Sequence, residues 1–373
     1  RPNAWRYRDY VIRSFQQNKP YDQFIREQIA GDELHPEDPA MLVATGFLRM
    51  GPWEHTAMSV ARETRQLFLD DVVNSVGETF LSLPLMCARC HDHKFDPIPS
   101  TDYYAIQAVF ANTQFADRYA PFLPEEDTSL MATERQRIAR WIVNTQEEQD
   151  QIKQKEETAA RTWFNRRNRP YISKWERRKL PQTDQPPRYL GLTHQDLGYR
   201  KVLQKRMQTL RVHRRRFDPY AYSVYEGGPR IVFSGRKHDI QRQQPDTSVT
   251  TYILGGGSVF APLRPVAPGT LQAIDLLSED TKEKADIPAQ AQGRRSALAN
   301  WLTQSSNPLS SRSIVNRIWQ FHFGQGLAPD PNNFGVNSGT PSHPQLLDWL
   351  SSYLIQHRWS ISALHRLIMS SDT

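Results

Sequence analysis

The chain has two cysteines in 373 residues, and both fall in one pentapeptide, Cys87-Ala88-Arg89-Cys90-His91. No long-range structural disulfide is available, so the fold carries no covalent argument for an oxidising compartment. Two cysteines separated by two residues, with a histidine directly after, is the attachment pattern of a c-type haem. Two thiolates must meet two vinyl groups on one edge of a flat macrocycle, and the following imidazole must turn to the iron. Cys87, Cys90 and His91 are the candidate cofactor-binding residues, with His91 as proximal ligand.

The continuation Asp92-His93-Lys94-Phe95-Asp96-Pro97 supplies charges beside the motif. Arg89 and Lys94 are candidates for pairing with haem propionates, a role in which arginine has the advantage of bidentate geometry; solvated loop charges are the alternative. His93 is too close to His91 to reach the far face of a haem. A sixth ligand must come from elsewhere or be water, and the candidates are His55, Met58, His322, His343 and His365. Asp96 and Asp102 are expected to cap local turns. Zinc is the rival cofactor: Cys87, Cys90 and one or both of His91 and His93 form a compact donor set, although a second, separated ligand pair is missing. A pair of plain reduced thiols is the simplest alternative.

The surrounding pattern predicts helices. Tyr10, Val11 and Phe15, then Tyr21, Phe24, Ile25 and Ile29, recur at helical spacing, with Asn18-Lys19-Pro20 breaking the run and Pro20 offered as a first-turn residue. Met41 to Leu48 forms a third apolar segment closed by Gly51-Pro52. Leu67, Phe68, Val72, Val73, Val76, Phe80 and Leu81 stripe a helix of about twenty residues that Pro84 ends. After the motif, Pro97 and Pro99 hold an extended loop, and Ser100-Thr101-Asp102 is positioned to cap the next helix.

From Glu125 the character changes. Residues 147–157 are polar nearly all round, with acids placed before lysines at helical spacing, and a basic helix follows through Val202, Leu203, Met207 and Leu210. A projecting helical hairpin is expected there. Tyr222–Tyr225, Arg230–Phe233 and Val249–Leu254 read as strands, and Gly255-Gly256-Gly257 as a strand-ending turn, because no Gly-Lys-Ser/Thr run follows it. From Arg294 the pattern is helical again. The expected fold is mainly α: two helical domains with an inserted helical hairpin and a small β region. The boundaries are 1–124 for the domain carrying the motif, 125–219 for the hairpin, 220–285 for the β-rich segment and 286–373 for a C-terminal helical domain.

Net charge is +7 and the pI about 9.3, but many of the basic residues lie in the polar stretch, part of it interleaved with acids, so a solvated helical face is favoured over a nucleic-acid surface. The longest apolar runs are far too short to span a bilayer. No Gly-x-Ser-x-Gly elbow or His-Glu-x-x-His pair occurs, and whether the chain is an enzyme stays open.

Cys87 to Pro99, with Asp102-Tyr103-Tyr104 and Phe110 after it, closely resembles the planctomycete cytochrome-type secreted domain of unknown function. Pro20-Tyr21-Asp22-Gln23-Phe24 and Gln28-Ile29-Ala30-Gly31-Asp32-Glu33 resemble the same family. Downstream, Asn307-Pro308-Leu309, Arg312, Val315-Asn316-Arg317-Ile318-Trp319, Phe323-Gly324-Gln325-Gly326-Leu327, Asn333-Phe334-Gly335 and Pro341-Ser342-His343-Pro344 resemble its companion, the planctomycete-secreted domain. The resemblance implies a secreted or periplasmic protein and possible haem binding, but brings no known reaction. Family members often carry a further cytochrome domain ahead of this region, so the chain reads as an excised piece, its C-terminal domain truncated at Thr373. Trp319 to Gly324 is similar to a family stretch with histidine before Phe-Gly, which makes His322 the first choice for the second axial ligand.

The expected function is that of a secreted haem c protein with an electron-transfer role and a redox partner protein. The alternatives are a secreted zinc-binding or hydrolytic module without haem, and an interaction scaffold working through the hairpin. Oligomeric state is not readable from these residues.

Overall fold

The computed structural model describes residues 3–51, 60–227, 248–276 and 286–372. The chain divides into two compact units: Pro124–Asp218, with Asn3 at the start of the described chain, forms one, and Ala4–Leu123 with Pro219 to the end forms the other.

In the larger unit, α1 (Ala4–Gln16) buries Arg6, Tyr10 and Ser14, one residue every four, so its inner face runs beside the expected stripe and Phe15 is left exposed. Arg6 donates to the carbonyls of Ala120 and Pro121 at 2.8 and 3.0 Å. Pro20 stands just before α2 (Tyr21–Leu34) as its N-cap, not in its first turn. α2 packs Phe24, Ile25 and Ile29 inward and bends at Ala30. The carboxylate of Asp38 caps α3 (Pro39–Ala44) by accepting from the Ala40 N–H at 2.8 Å, and a 3₁₀ turn over Thr45–Arg49 follows.

The long apolar stripe forms α4 (Ala61–Val76), whose last turn widens to a π turn over Gly77–Leu81. Leu67, assigned to that stripe from its spacing, faces solvent instead. α5 (Ser100–Val109) begins after Pro99, which as N-cap offers no side-chain bond to the helix start. Asp102 is not a cap: its carboxylate accepts the Gln272 N–H at 2.8 Å, tying α5 to a segment 170 residues on.

β1 (Thr113–Tyr119) pairs antiparallel with β2 (Tyr220–Glu226), in register from Thr113↔Glu226 to Tyr119↔Tyr220. The Pro124–Asp218 unit lies between these strands in sequence. It consists of α6 (Met131–Asn165), the single turn α7 (Lys174–Arg177) and α8 (His194–Arg214). α6 is not polar all round, because Ile138, Thr145 and Ile152 are buried at seven-residue spacing, and Leu203, Met207 and Leu210 of α8 are buried in the same unit. That seven-residue interval is the seam of a coiled-coil-like pair. Lys155–Asp196 and Arg206–Glu148 bridge the two helices, and Thr193 with Asp196 forms a capping box at the start of α8.

The second sheet is a two-stranded hairpin, β3 (Thr251–Leu254) with β4 (Pro262–Val266), joined through the 3₁₀ turn Gly255–Gly257. The expected strand at Arg230–Phe233 lies outside the described residues. After α9 (Gln272–Asp275), the described residues form four further α-helices: α10 (Arg294–Thr303), α11 (Pro308–Phe323), α12 (Pro344–Gln356) and α13 (Ile361–Met369). The fold is thus mainly α with a small β region. The N- and C-terminal stretches share one hydrophobic core, in which Phe80, Tyr103, Phe110, Trp301 and Leu302 are nearly or fully buried. No helix among the described residues is long and apolar enough to cross a membrane.

Candidate functional site

The motif is carried by a short 3₁₀ turn, Leu85–Arg89, after Pro84. With three residues per turn, positions three apart share a face. Leu85 and Ala88 therefore point inward and are fully buried, while Cys87 and Cys90 occupy an outward edge and are both exposed free thiols. The two-residue gap in the sequence thus becomes two thiols on one accessible edge.

The imidazole of His91 is exposed, with Nδ1 2.7 Å from the carbonyl oxygen of Asp92. A carbonyl only accepts, so Nδ1 carries the proton and Nε2 keeps its lone pair free. His93 is turned differently: its ring Nδ1 accepts the Asp96 N–H at 3.0 Å, and its backbone N–H donates to the Ile98 carbonyl at 2.9 Å. Asp92 accepts the Ser100 N–H at 2.8 Å, which closes the loop onto the start of α5. Buried Asp96 reaches further, accepting the Val336 N–H at 2.6 Å, so it braces the loop against the C-terminal stretch and not merely a local turn.

Arg89 points inward. Its Nη2 donates to the carbonyl of Gly257 at 2.9 Å, and its Nε lies 2.9 Å from the Asp70 carboxylate in a close ion pair that lacks the alignment of a hydrogen bond. Asp70, on α4, also accepts from Tyr103 at 2.6 Å and from Gln66 at 2.7 Å. Burial holds the Asp70 carboxyl above the ordinary range, while Tyr103, Gln66 and Arg89 pull it down. Tyr104 donates to the Arg89 carbonyl at 2.8 Å, and burial pushes its hydroxyl up to about 12. The Arg89 guanidinium, offered from the sequence as a propionate partner, is engaged here in a wall behind the motif. Lys94 is exposed, its ammonium 5.0 Å from the centre of the Phe95 ring.

Of the other candidate ligands, His322 at the end of α11 pairs with His365 of α13, Nε2 to Nδ1 at 2.7 Å. Burial and His322 together hold the His365 imidazole below its usual value. His343 is exposed beside Ser342, 3.1 Å away. His55 and Met58 lie outside the described residues. Among the described residues no group of three or more His, Cys, Asp or Glu side chains is gathered to hold a metal ion.

Asp70 and Val336 are parts of this site that the sequence did not single out, and Tyr104 and Gly257 were named there without a role at the motif. The glycine triplet was the one local signal: Gly257 has φ +75°, and a Cβ there would lie 2.8 Å from the Cys90 sulfur. Its purpose is close approach of the hairpin backbone to the motif.

The fold and this turn define a mainly helical protein that presents a Cys-x-x-Cys-His edge from a buried scaffold. The model of the PSCyt2 family, described as protein of unknown function (DUF1549), matches residues 1–115, and that of PSD1, described as protein of unknown function (DUF1553), matches residues 294–373. The chain therefore carries the two family regions in the order its motifs resemble. No curated protein and no solved structure matches it.

Proposed function

We propose that this protein binds one haem c through Cys87 and Cys90, with His91 as proximal ligand, and serves electron transfer outside the cytoplasmic membrane. The observation that carries the reading is the bond from His91 Nδ1–H to the Asp92 carbonyl, which fixes the tautomer and leaves Nε2 free. A backbone carbonyl on the second nitrogen is the usual support of a metal-bound histidine. Two exposed thiols on the same edge of the 3₁₀ turn suit attachment to the two vinyl positions of one macrocycle edge. The cytochrome-like name of the N-terminal family model agrees with it.

When bound, the haem supplies a one-electron couple whose potential depends on the sixth ligand and on burial. The protein's own part is mechanical and electrostatic. Pro84 and the buried Leu85 and Ala88 hold the thiols outward, Asp92 orients the imidazole, and Asp96 and Arg89 brace the loop from two sides. His322 is kept as the proposed second iron ligand; with Nε2–H donating to His365, Nδ1 would be the nitrogen left to hold the group. A redox partner protein completes the proposal.

The test is expression with the c-type maturation machinery, followed by metal analysis and a pyridine haemochrome spectrum. One iron per chain and a c-type spectrum support haem. Stoichiometric zinc without iron supports the alternative cofactor and overturns the reading.

A further inference from the structure

We propose that Gly257, held in place by Arg89, keeps the space beside the Cys90 sulfur open, so that the glycine hairpin turn is the wall that decides access to the second thioether position. The inference rests on the haem reading for its purpose, but its geometry stands on the protein alone.

Three observations carry it. An ideal Cβ at Gly257 would sit 2.8 Å from the Cys90 sulfur, closer than side-chain carbons approach their neighbours, and 3.5 Å from the Arg89 guanidinium carbon. The Arg89 guanidinium bonds the carbonyl of that same glycine, so the turn is tied to the motif and does not merely lie near it. Arg89 is in turn anchored by the buried Asp70, which fixes the hairpin against α4 as well.

Forming a thioether at Cys90 replaces the S–H bond with an S–C bond to the vinyl carbon nearer the ring, while the outer vinyl carbon takes up a hydrogen and becomes a methyl group. The new carbon and its methyl need room around a sulfur that already abuts Gly257. A glycine leaves that room; any side chain fills it.

The adjacent Gly256 provides the control. It also has a left-handed backbone, with φ +56°, but a Cβ there meets nothing within 4 Å. Gly256→Ala and Gly257→Ala thus impose comparable backbone strain on the same turn, and only the second reaches Cys90.

The experiment alkylates the haem-free, reduced full chain with iodoacetamide and reads Cys90 modification relative to Cys87 by peptide mass mapping. The expected result is a several-fold fall in the Cys90 to Cys87 ratio for Gly257→Ala and an unchanged ratio for Gly256→Ala. An unchanged or raised ratio in Gly257→Ala, or an equal fall in both variants, overturns the proposal. Circular dichroism of each variant shows whether it folds, and Gly257→Ser gives a second substitution at the same position, expected to act in the same direction. A further arm matures the same variants with haem. Gly257→Ala is expected to give chains linked through Cys87 alone, with a haemochrome band at longer wavelength because one vinyl group stays unsaturated. If no variant, nor the parent, takes haem while the alkylation pattern holds, the haem reading fails and the wall stands.

Discussion

Asp32 and Arg295 meet in a buried two-pronged ion pair, Nη1 to Oδ1 at 2.7 Å and Nη2 to Oδ2 at 3.1 Å, although 263 residues separate them. Asp32 lies in the stretch matched by the PSCyt2 model and Arg295 in that matched by the PSD1 model. Arg295 also touches Glu33 and Glu226 and donates to the Ile29 carbonyl, so one fully buried guanidinium knits α2, β2 and α10 together. Removing the guanidinium leaves the buried Glu33 and Glu226 carboxylates without their cation, at a cost of about 3–5 kcal/mol. Arg295→Met is expected to destabilise the chain by that amount in urea denaturation, and a change below about 1 kcal/mol would show that the cluster is not structural.

Asp102 gives a pH-dependent prediction. Burial comes first among the influences that hold its carboxyl above the ordinary Asp range; the Gln272 N–H opposes it, and Asp275 and Asp92 add to the rise. Between the ordinary value and the raised one, the folded state keeps a proton that the unfolded state has released. The Asp102 contribution is therefore fully present below the ordinary value and is lost as pH rises through the raised one. Asp102→Asn keeps an acceptor for the Gln272 N–H and cannot titrate. Its stability relative to the parent should grow as pH rises across that window and then level off. Denaturation at a series of pH values checks this, and a pH-independent difference contradicts it.

Arg89→Gln removes the charge from both Asp70 and the Gly257 carbonyl. Hydrogen bonds to charged groups contribute about 1.5–3 kcal/mol, so a loss of that order is expected. It should be local in its signature, with faster hydrogen exchange at the Gly255 and Ser258 amides, whose bonds to Ala261 and Gly255 close the hairpin turn. Uniform loss of protection across the core would instead mark a global effect.

The Pro124–Asp218 unit is expected to be dispensable for folding of the rest. Tyr119 and Tyr220 are partners in the sheet, and the Ala120 N–H bonds the Pro219 carbonyl at 2.8 Å, so the chain leaves and returns at neighbouring points. A short Gly/Ser linker from Leu123 to Pro219 spans the gap, and the entropy of closing it is small. The shortened chain should retain a cooperative thermal transition, and a molten, non-cooperative product would contradict this.

The helices were legible wherever apolar residues recur at three and four positions, as in Phe68, Val72, Val73 and Val76. β1 was not, because Thr113-Gln114-Phe115-Ala116-Asp117-Arg118-Tyr119 reads as polar. Its first residues are buried by pairing with β2 and by Arg49, which bonds the Ala116 and Ser223 carbonyls across the two strands. β4 hides behind two prolines, tolerated because the pair has only two strands and both are edges. At the site, the attachment pattern is local in sequence and could be read directly. The direction of Arg89 could not, since it is decided by Asp70 and Gly257, which lie 19 residues before it and 168 residues after it. Spacing shows which thiols can share an edge; it does not show which backbone they rest against.

The most direct measurement of the central claim is peptide mass mapping of protein matured with haem, denatured and digested. The account predicts that the peptide spanning Cys87 to His91 carries one haem bonded to both sulfurs, and that His91→Ala keeps those bonds while changing the iron's absorption spectrum. Both cysteines recovered as free thiols from fully matured protein would contradict it.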